Sequence, residues 1–389
     1  MGFIKFLAIF LAIYGGMHLY FFVKVEKAFP ALRRIRPLTL PLVGLLVSAP
    51  FLARLADGAG RLPLALPLAW FSNIWMGLLF IFFWVAIVGE LVFGILAWCN
   101  FWPRLKAQPR QRAGLQLLVA LLIAVGLAAY GWQAANHIGL ETISLSSAKL
   151  AAATGELRVV QVSDIHLGLM VGKDRLARII ARINQARPDI LVCTGDIIEG
   201  HGESVEAEAA MLAAVRAPQG KFVVMGNHEF HGGGAAALAF FKAAGLTVLR
   251  GEARALAGNL TIAGVDDVRG HGGLGEGLVA EDELLGRLAG DSYIILLKHR
   301  PVPPADIAVL ADLQLSGHGH QGQIFPFNLL VRLVHPYPAG LVELAAEKYL
   351  YTSRGSGTWG PPFRLGSPPE VTLFRIRALP GRAALEKNM

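Results

Sequence analysis

The sequence predicts a two-part chain, a helical membrane domain over residues 1–140 followed by an α/β domain over residues 157–389, joined by a linker at 141–156. Three observations predict it. Four long apolar stretches crowd the first 140 residues. Beyond them, short β-branched runs alternate with helical patterns, the signature of βαβ units in mixed or parallel sheets. The ends of those runs carry Asp, His and Asn beside glycine, where an open α/β sheet places its ligands.

Composition narrows the class first. Of 389 residues, 54% are hydrophobic and only 16% charged, with mean hydropathy +0.50. Disorder is excluded, since disordered chains are poor in apolar residues and rich in charge. A wholly soluble protein is disfavoured too, because charged residues near about 25% are then usual. Two cysteines exclude a disulfide scaffold, and Cys99 and Cys193 read as small core residues. The net charge of +8 is unevenly spread: residues 1–150 hold 13 Lys+Arg against 4 Asp+Glu, residues 151–389 hold 23 against 24. A nucleic-acid domain carries its basic patch on a folded surface. Here the excess lies between apolar runs, where it reports topology, so nucleic acid is not an expected partner and membrane lipid is.

The apolar stretches are Phe6–Val23, Pro37–Ala53, Leu62–Trp102 and Ala113–Leu140. A span needs roughly 20 apolar residues to cross about 30 Å of hydrocarbon, and these stretches lack the polar face that a buried soluble helix keeps. Leu62–Trp102 contains one charge, Glu90, read as a carboxylate near a helix end. Lys24, Lys27, Arg33, Arg34 and Arg36 fill the first loop, and Arg104, Lys106, Arg110 and Arg112 the third. The positive-inside rule places both loops in the cytoplasm. With four spans, the termini and the α/β domain then lie on the extracytoplasmic side.

In the second part, strands are expected at Leu157–Val162, Ile190–Cys193, Phe222–Met225, Leu246–Leu249, Leu260–Val265 and Tyr293–Leu297. Helices are expected at Lys173–Ala186, Glu203–Ala217, Ala235–Ala244 and Glu281–Ala289. The run ends read Ser163-Asp164-Ile165-His166, Gly195-Asp196, Gly226-Asn227-His228-Glu229, His299 and Gly317-His318-Gly319-His320. Carboxylate, imidazole and amide donors without thiolate suit Mn, Fe, Zn or Mg rather than a Cys-rich structural zinc. In an extended segment, Asp-x-His and His-x-His put two side chains on one side. The set is too large for one tetrahedral ion and suits two divalent ions.

In order along the chain, these blocks resemble the signature of calcineurin-like metallophosphoesterases over roughly residues 157–377, closest to the membrane-associated bacterial branch. Gly264-Val265-Asp266-Asp267 and Arg354-Gly355-Ser356-Gly357-Thr358-Trp359 share the likeness. The resemblance implies a four-layer αββα sandwich, anchored by the preceding helices to the bacterial cell membrane, and a hydrolase acting on phosphate esters or diphosphates. It implies that Asp164, His166 and His320 bind one ion, that Asn227, His299 and His318 bind the other, and that Asp196 bridges them. His228 would then stand beside the phosphate as the catalytic residue, with a metal-bound hydroxide attacking phosphorus. Gln321 departs from the family pattern, where glycine is common. A nucleotide or phosphodiester hydrolase merely tethered to the bilayer, and a non-catalytic metal- or phosphate-binding signalling module, are the rival readings.

Other motifs are weaker. His228-Glu229-Phe230-His231 has its histidines three apart, not the four of a zincin helix. Gly317–Gly322 fits the dinucleotide glycine pattern in letters but is not followed by a helix-opening sequence. The glycine-rich run 272–277 reads as a solvated turn. His201, His231, His271 and His335 could line the site, His231 foremost. Arg354 and Arg364 could grip phosphate bidentately or serve structural pairings. The apolar stretch Ile324–Val334 has two readings: a segment dipping into the membrane interface to admit a lipid-linked phosphorylated substrate, or a core hairpin.

Overall fold

The computed structural model describes residues 2–99, 108–199, 205–231, 234–267, 281–288, 290–302 and 310–379. Arg104, Lys106, His201, His271 and the turn 272–277 lie outside the described residues. Two compact units result, Met1–Gln133 with Gly360–Phe363, and Ala134–Trp359 with Arg364–Met389.

The first unit is built from α1 (Gly2–Ala28), α2 (Arg36–Gly58), α3 (Leu62–Trp98) and most of α4 (Pro109–Asn136). Four candidate spans are long and apolar enough to cross a membrane: Leu7–Ala28, Pro30–Gly58, Leu62–Trp98 and Pro109–Asn136. The unit has its own core of Tyr14, Met17, Val43, Val47 and Leu79. Some of its polar groups are satisfied internally, as a hydrocarbon surround favours. Trp75 Nε1 donates to His18 Nε2 at 2.8 Å, and His18 Nδ1 lies 2.8 Å from the Tyr14 carbonyl. Glu90 sits within α3, ion-paired with Lys24 of α1. Cys99, expected in a core, is exposed beyond the end of α3. An apolar surround tolerates it on the outside, so apolarity alone was no sign of burial.

The second unit opens with β1 (Gly139–Ser147) and β2 (Glu156–Val162), then α5 (Lys173–Ala186), β3 (Ile190–Cys193), α6 (Glu206–Ala213) and β4 (Lys221–Val223). There follow α7 (Asn227–His231), α8 (Gly234–Ala243), β5 (Thr247–Val248), β6 (Glu252–Leu256), β7 (Leu260–Val265), α9 (Glu281–Leu288) and β8 (Tyr293–Lys298). Last come β9 (Leu313–Ser316), α10 (Phe327–Val334), β10 (Gly340–Ala345), β11 (Lys348–Thr352) and β12 (Glu370–Ala378). Two six-stranded mixed sheets form, in the orders β1-β12-β2-β3-β4-β5 and β10-β11-β9-β8-β7-β6. Strands β2 to β5 are parallel neighbours, as are β7, β8, β9 and β11.

Side-chain alternation sorts the layers. Val159, Ile190, Val192 and Phe222 meet Ile262, Ile295, Leu313 and Leu315 in a core shared by both sheets. Their neighbours Val160, Leu191, Cys193 and Val223 turn the other way, against Leu176 and Ile179 of α5, Leu212 of α6 and Phe241 of α8. On the far side, Ala263, Ile294 and Leu296 meet Leu284 and Leu285 of α9. The result is the αββα sandwich.

One expected linker is structured. β1 occupies much of residues 141–156, pairing parallel with β12 from Gly139↔Glu370 to Ser147↔Ala378. Thr142, Ser144 and Ser146 face outward while Leu145 enters the inter-sheet core and Ile143 lies against it. The period-two alternation was present beneath a polar composition. On the adjoining strand, Phe374 is wholly buried between the sheets, its ring centroid 5.2 Å from that of Tyr351. Phe374→Ala is expected to cost about 3–5 kcal/mol, read as a lowered thermal unfolding midpoint of the detergent-solubilised protein by near-ultraviolet circular dichroism.

Candidate metal centre

Every candidate ligand lies at or just beyond the carboxyl end of a strand or on α7. Asp164 and His166 follow β2, Asp196 follows β3, Asn227 opens α7 after β4, His299 follows β8, and His318 and His320 follow β9. The expectation that Asp-x-His and His-x-His are extended is corrected by the backbone. Asp164 (φ 52°), His166 (57°), Asp196 (54°), His318 (75°) and His320 (45°) all occupy the left-handed region. Such a residue costs of order 1–3 kcal/mol, so the surrounding hydrogen bonds must hold it there. The tight turns leave no room beside them. A Cβ on Gly317 would fall 2.0 Å from Ser163 Oγ, and one on Gly226 would fall 2.2 Å from Asp196 Oδ1.

The side chains converge in three overlapping groups whose donor atoms lie within 4.8 Å of one another: Asp164, His166 and His320; His166, Asp196 and His228; Asp196, His299 and His318. Asp196 and His166 each belong to two groups. His166 Nε2 and His320 Nε2 face each other at 3.0 Å, with Asp164 Oδ1 3.5 Å from the latter. Asp196 Oδ2 is 3.1 Å from His299 Nε2 and 3.9 Å from His228 Nε2. Apart from His318 and His228, these residues are buried.

Burial sets the protonation states. It lowers His166 to about 4, helped by neighbouring His228, and lowers His318 to about 2, helped by His299. These imidazoles are therefore neutral near pH 7, as metal ligation requires. Burial alone would lower His299 as well, but the Asp196 carboxylate outweighs it and raises His299 to about 10. Burial would push Asp196 upward, and the facing imidazoles, His299 foremost, outweigh that, holding it well below the ordinary range. Asp164 is raised to about 6 by burial, with the Asp196 charge adding to the rise. Buried carboxylates and imidazoles crowded together, with no thiolate, form a donor set that a hard or borderline divalent cation fits.

Sequence reasoning gave no role to Glu229. Its carboxylate accepts the backbone N–H groups of Asp196 (2.9 Å), Ile197 (2.6 Å), Ile198 (3.2 Å) and Gly226 (2.8 Å), pinning the turn after β3 to the one after β4. Arg300 was also missed. Its guanidinium contacts His318 Nε2 at 2.6 Å and donates to Asn227 Oδ1 at 3.3 Å and Asp267 Oδ2 at 2.7 Å. The signals available were the position beside His299 and the Asp266-Asp267 pair.

The remaining candidates divide. His228 stands at the edge of the cluster, its ring 4.7 Å from His166, 5.8 Å from Trp359 and 5.9 Å from His231. His335 lies 6.1 Å from His318. Arg364 is 1% exposed, donates to the Gly357 and Arg354 carbonyls, and lies 3.0 Å from His320 Nδ1. Arg354 is held by Glu141, Glu370 and the Pro368 carbonyl. Both guanidinium groups are thus taken up by the protein: Arg364 props a candidate ligand from below, and Arg354 ties β1 to β12. Removing the Glu229 carboxylate leaves four backbone donors without their acceptor. Glu229→Ala is expected to weaken Mn²⁺ binding by about 10–100-fold, measured by calorimetric titration, with the far-ultraviolet circular dichroism spectrum retained.

Comparison with known proteins follows the same residues. The calcineurin-like phosphoesterase family model matches residues 157–322. An uncharacterized metallophosphoesterase of Aquifex aeolicus (strain VF5) is 39% identical over 259 residues, covering 66% of this chain and 98% of that protein. A transmembrane protein with metallophosphoesterase domain from Bos taurus is 29% identical over 308 residues, covering 75% of this chain and 69% of that one. Among solved structures, the Haemophilus influenzae NAD nucleotidase is 19% identical with TM-score 0.39, matched over 53% of this chain and 46% of its own length. A turn-borne Asp/His/Asn set on an αββα sandwich, and a relative matched along nearly its whole length, lead to one conclusion: this chain belongs to the calcineurin-like metallophosphoesterases, and it carries four candidate membrane helices ahead of the phosphoesterase domain.

Proposed function

We propose that the chain is a membrane-anchored phosphoesterase with a centre for two divalent ions, hydrolysing a phosphate ester or diphosphate, including one carried on a lipid, at the extracytoplasmic face of a bacterial cell membrane. The observation that carries it is the sharing of Asp196 between two donor groups. Asp164, His166 and His320 would hold one ion and Asn227, His299 and His318 the other, with Asp196 bridging. Bound there, the ions supply Lewis acidity that makes water a nucleophile near neutral pH and neutralises charge on the phosphoryl oxygens.

The chain's own residues complete the chemistry. Asp196 is fixed by the His228 N–H on Oδ1 at 2.9 Å and by Glu229 on its own N–H. His228, part-exposed at the cluster's edge with Glu199 Oε1 3.8 Å from its Nδ1, is placed to give a proton to the leaving oxygen. Buried Arg364 and the turn hydrogen bonds keep the ligand atoms from spreading apart.

The test is turnover of lipid diphosphates, phospholipids, nucleotides and aryl phosphates by the detergent-solubilised protein with Mn²⁺. Chelation is expected to abolish activity and Mn²⁺ to restore it. Asp196→Asn should lose bound metal and activity together. His228→Ala should keep its metal while turnover falls about 10²–10⁴-fold, and wild-type turnover in that variant would remove the assignment. A reporter active only outside the cytoplasm, fused to the C-terminus, should be active.

A further inference from the structure

The apolar stretch after the last candidate ligand folds as α10, not as a hairpin, and its faces are inverted relative to an ordinary surface helix. Asn328 and Val331 are buried, whereas Leu329 and Leu330 are each 49% exposed, Leu333 83% and Val334 74%. At about 100° per residue, these four side chains share one side of the helix, with exposed Arg332 on its flank.

Both ends of this segment reach the metal centre. Ahead of the helix, Gln323 Nε2 donates to the Trp359 carbonyl and Trp359 N donates to Gln323 Oε1, each at 2.9 Å. The ring of Trp359, 44% exposed, is the one beside His228. Behind the helix, His335 stands beside His318. The helix therefore flanks the site, with Val331 on its buried side next to Gly319.

We propose that α10 is an interfacial helix whose leucine face lies in the headgroup–acyl boundary of the bilayer, presenting lipid-borne phosphoesters to the metal centre. The substrate class rests on the phosphoesterase reading above; the docking does not. The chain brings its own bilayer. The last candidate span ends at Asn136 and β1 starts at Gly139, a separation of at most about 11 Å of extended chain. Arg332 suits lipid phosphate, and interfacial helices combine such a cation with an apolar face. Tryptophan is favoured at the same depth.

The experiment uses the full chain in nanodiscs of phosphatidylethanolamine and phosphatidylglycerol, with Cys99→Ser and a fluorophore on Leu333→Cys. A blue-shifted label, quenched by spin-labelled acyl chains and shielded from iodide, is expected; the same label on Glu252→Cys, exposed on β6, should be open to iodide. A Leu333→Cys label open to iodide overturns the proposal. So does one that crosslinks to a second copy, which would make the face a self-association surface. With Leu329, Leu330, Leu333 and Val334 all changed to Ser, the ratio of turnover on a bilayer lipid diphosphate to that on p-nitrophenyl phosphate is expected to fall at least about tenfold; an unchanged ratio overturns the substrate class. A wild-type chain that cleaves neither ester removes the enzymatic reading, and quenching then decides the docking by itself.

Discussion

The carboxylate of Asp196 ties the two sheets together at the centre. It leaves the end of β3 in one sheet and comes within 3.1 Å of His299 Nε2 at the end of β8 in the other. Its main chain is bound on both sides, the N–H to Glu229 at 2.9 Å and the carbonyl to the His166 N–H at 3.0 Å. A buried carboxylate with like-charged Asp164 nearby is costly unless positive charge faces it. His299 provides that charge in the protein alone, and a divalent cation supplies the same charge in greater amount. The wish of this site for cations is therefore written into its electrostatics, independent of which ion satisfies it.

Backbone strain is the other half of the construction. Five candidate ligands lie in the left-handed region, each unfavourable for a residue with a side chain. Glu229 and the His318 N–H bonds to Asp164 (3.0 and 3.1 Å) hold those turns closed, while glycines at 226 and 317 let the turns approach to contact. Buried apolar residues pack on both faces of the parallel strands β2, β3 and β4 beneath them, which makes a rigid base for a strained rim. Rigidity and precise aim come from different layers of the same unit.

The two units solve the polar problem in opposite ways. In the helical unit, many Leu and Val point outward, and Lys24 pairs with Glu90 and Trp75 with His18. In the sandwich, charge and imidazole gather in one buried cluster and apolar residues fill the layers. Helix α10 departs from this pattern, with Leu329, Leu330, Leu333 and Val334 turned outward together.

Much was legible in the residue order. Periodicity marked most of the early strands and helices of the sandwich, since alternation and 3.6-residue spacing are local properties. Hydropathy marked the four candidate spans, because length and apolarity alone decide whether a helix can cross hydrocarbon. The donor types and their glycine neighbours were likewise visible. What the tertiary structure decided was everything that needs two distant segments to meet. Ser/Thr-rich residues 139–147 became a strand only because β12 returned from the far end of the chain to pair with them. Glu229, Arg300 and Trp359 acquired roles from Asp196, Asn227 and His228, respectively 33, 73 and 131 positions away in the chain, and Arg354 and Arg364 turned inward to acceptors no spacing could reveal. Residue type is a property of the chain, but proximity is a property of packing, and chemistry at this centre needs both.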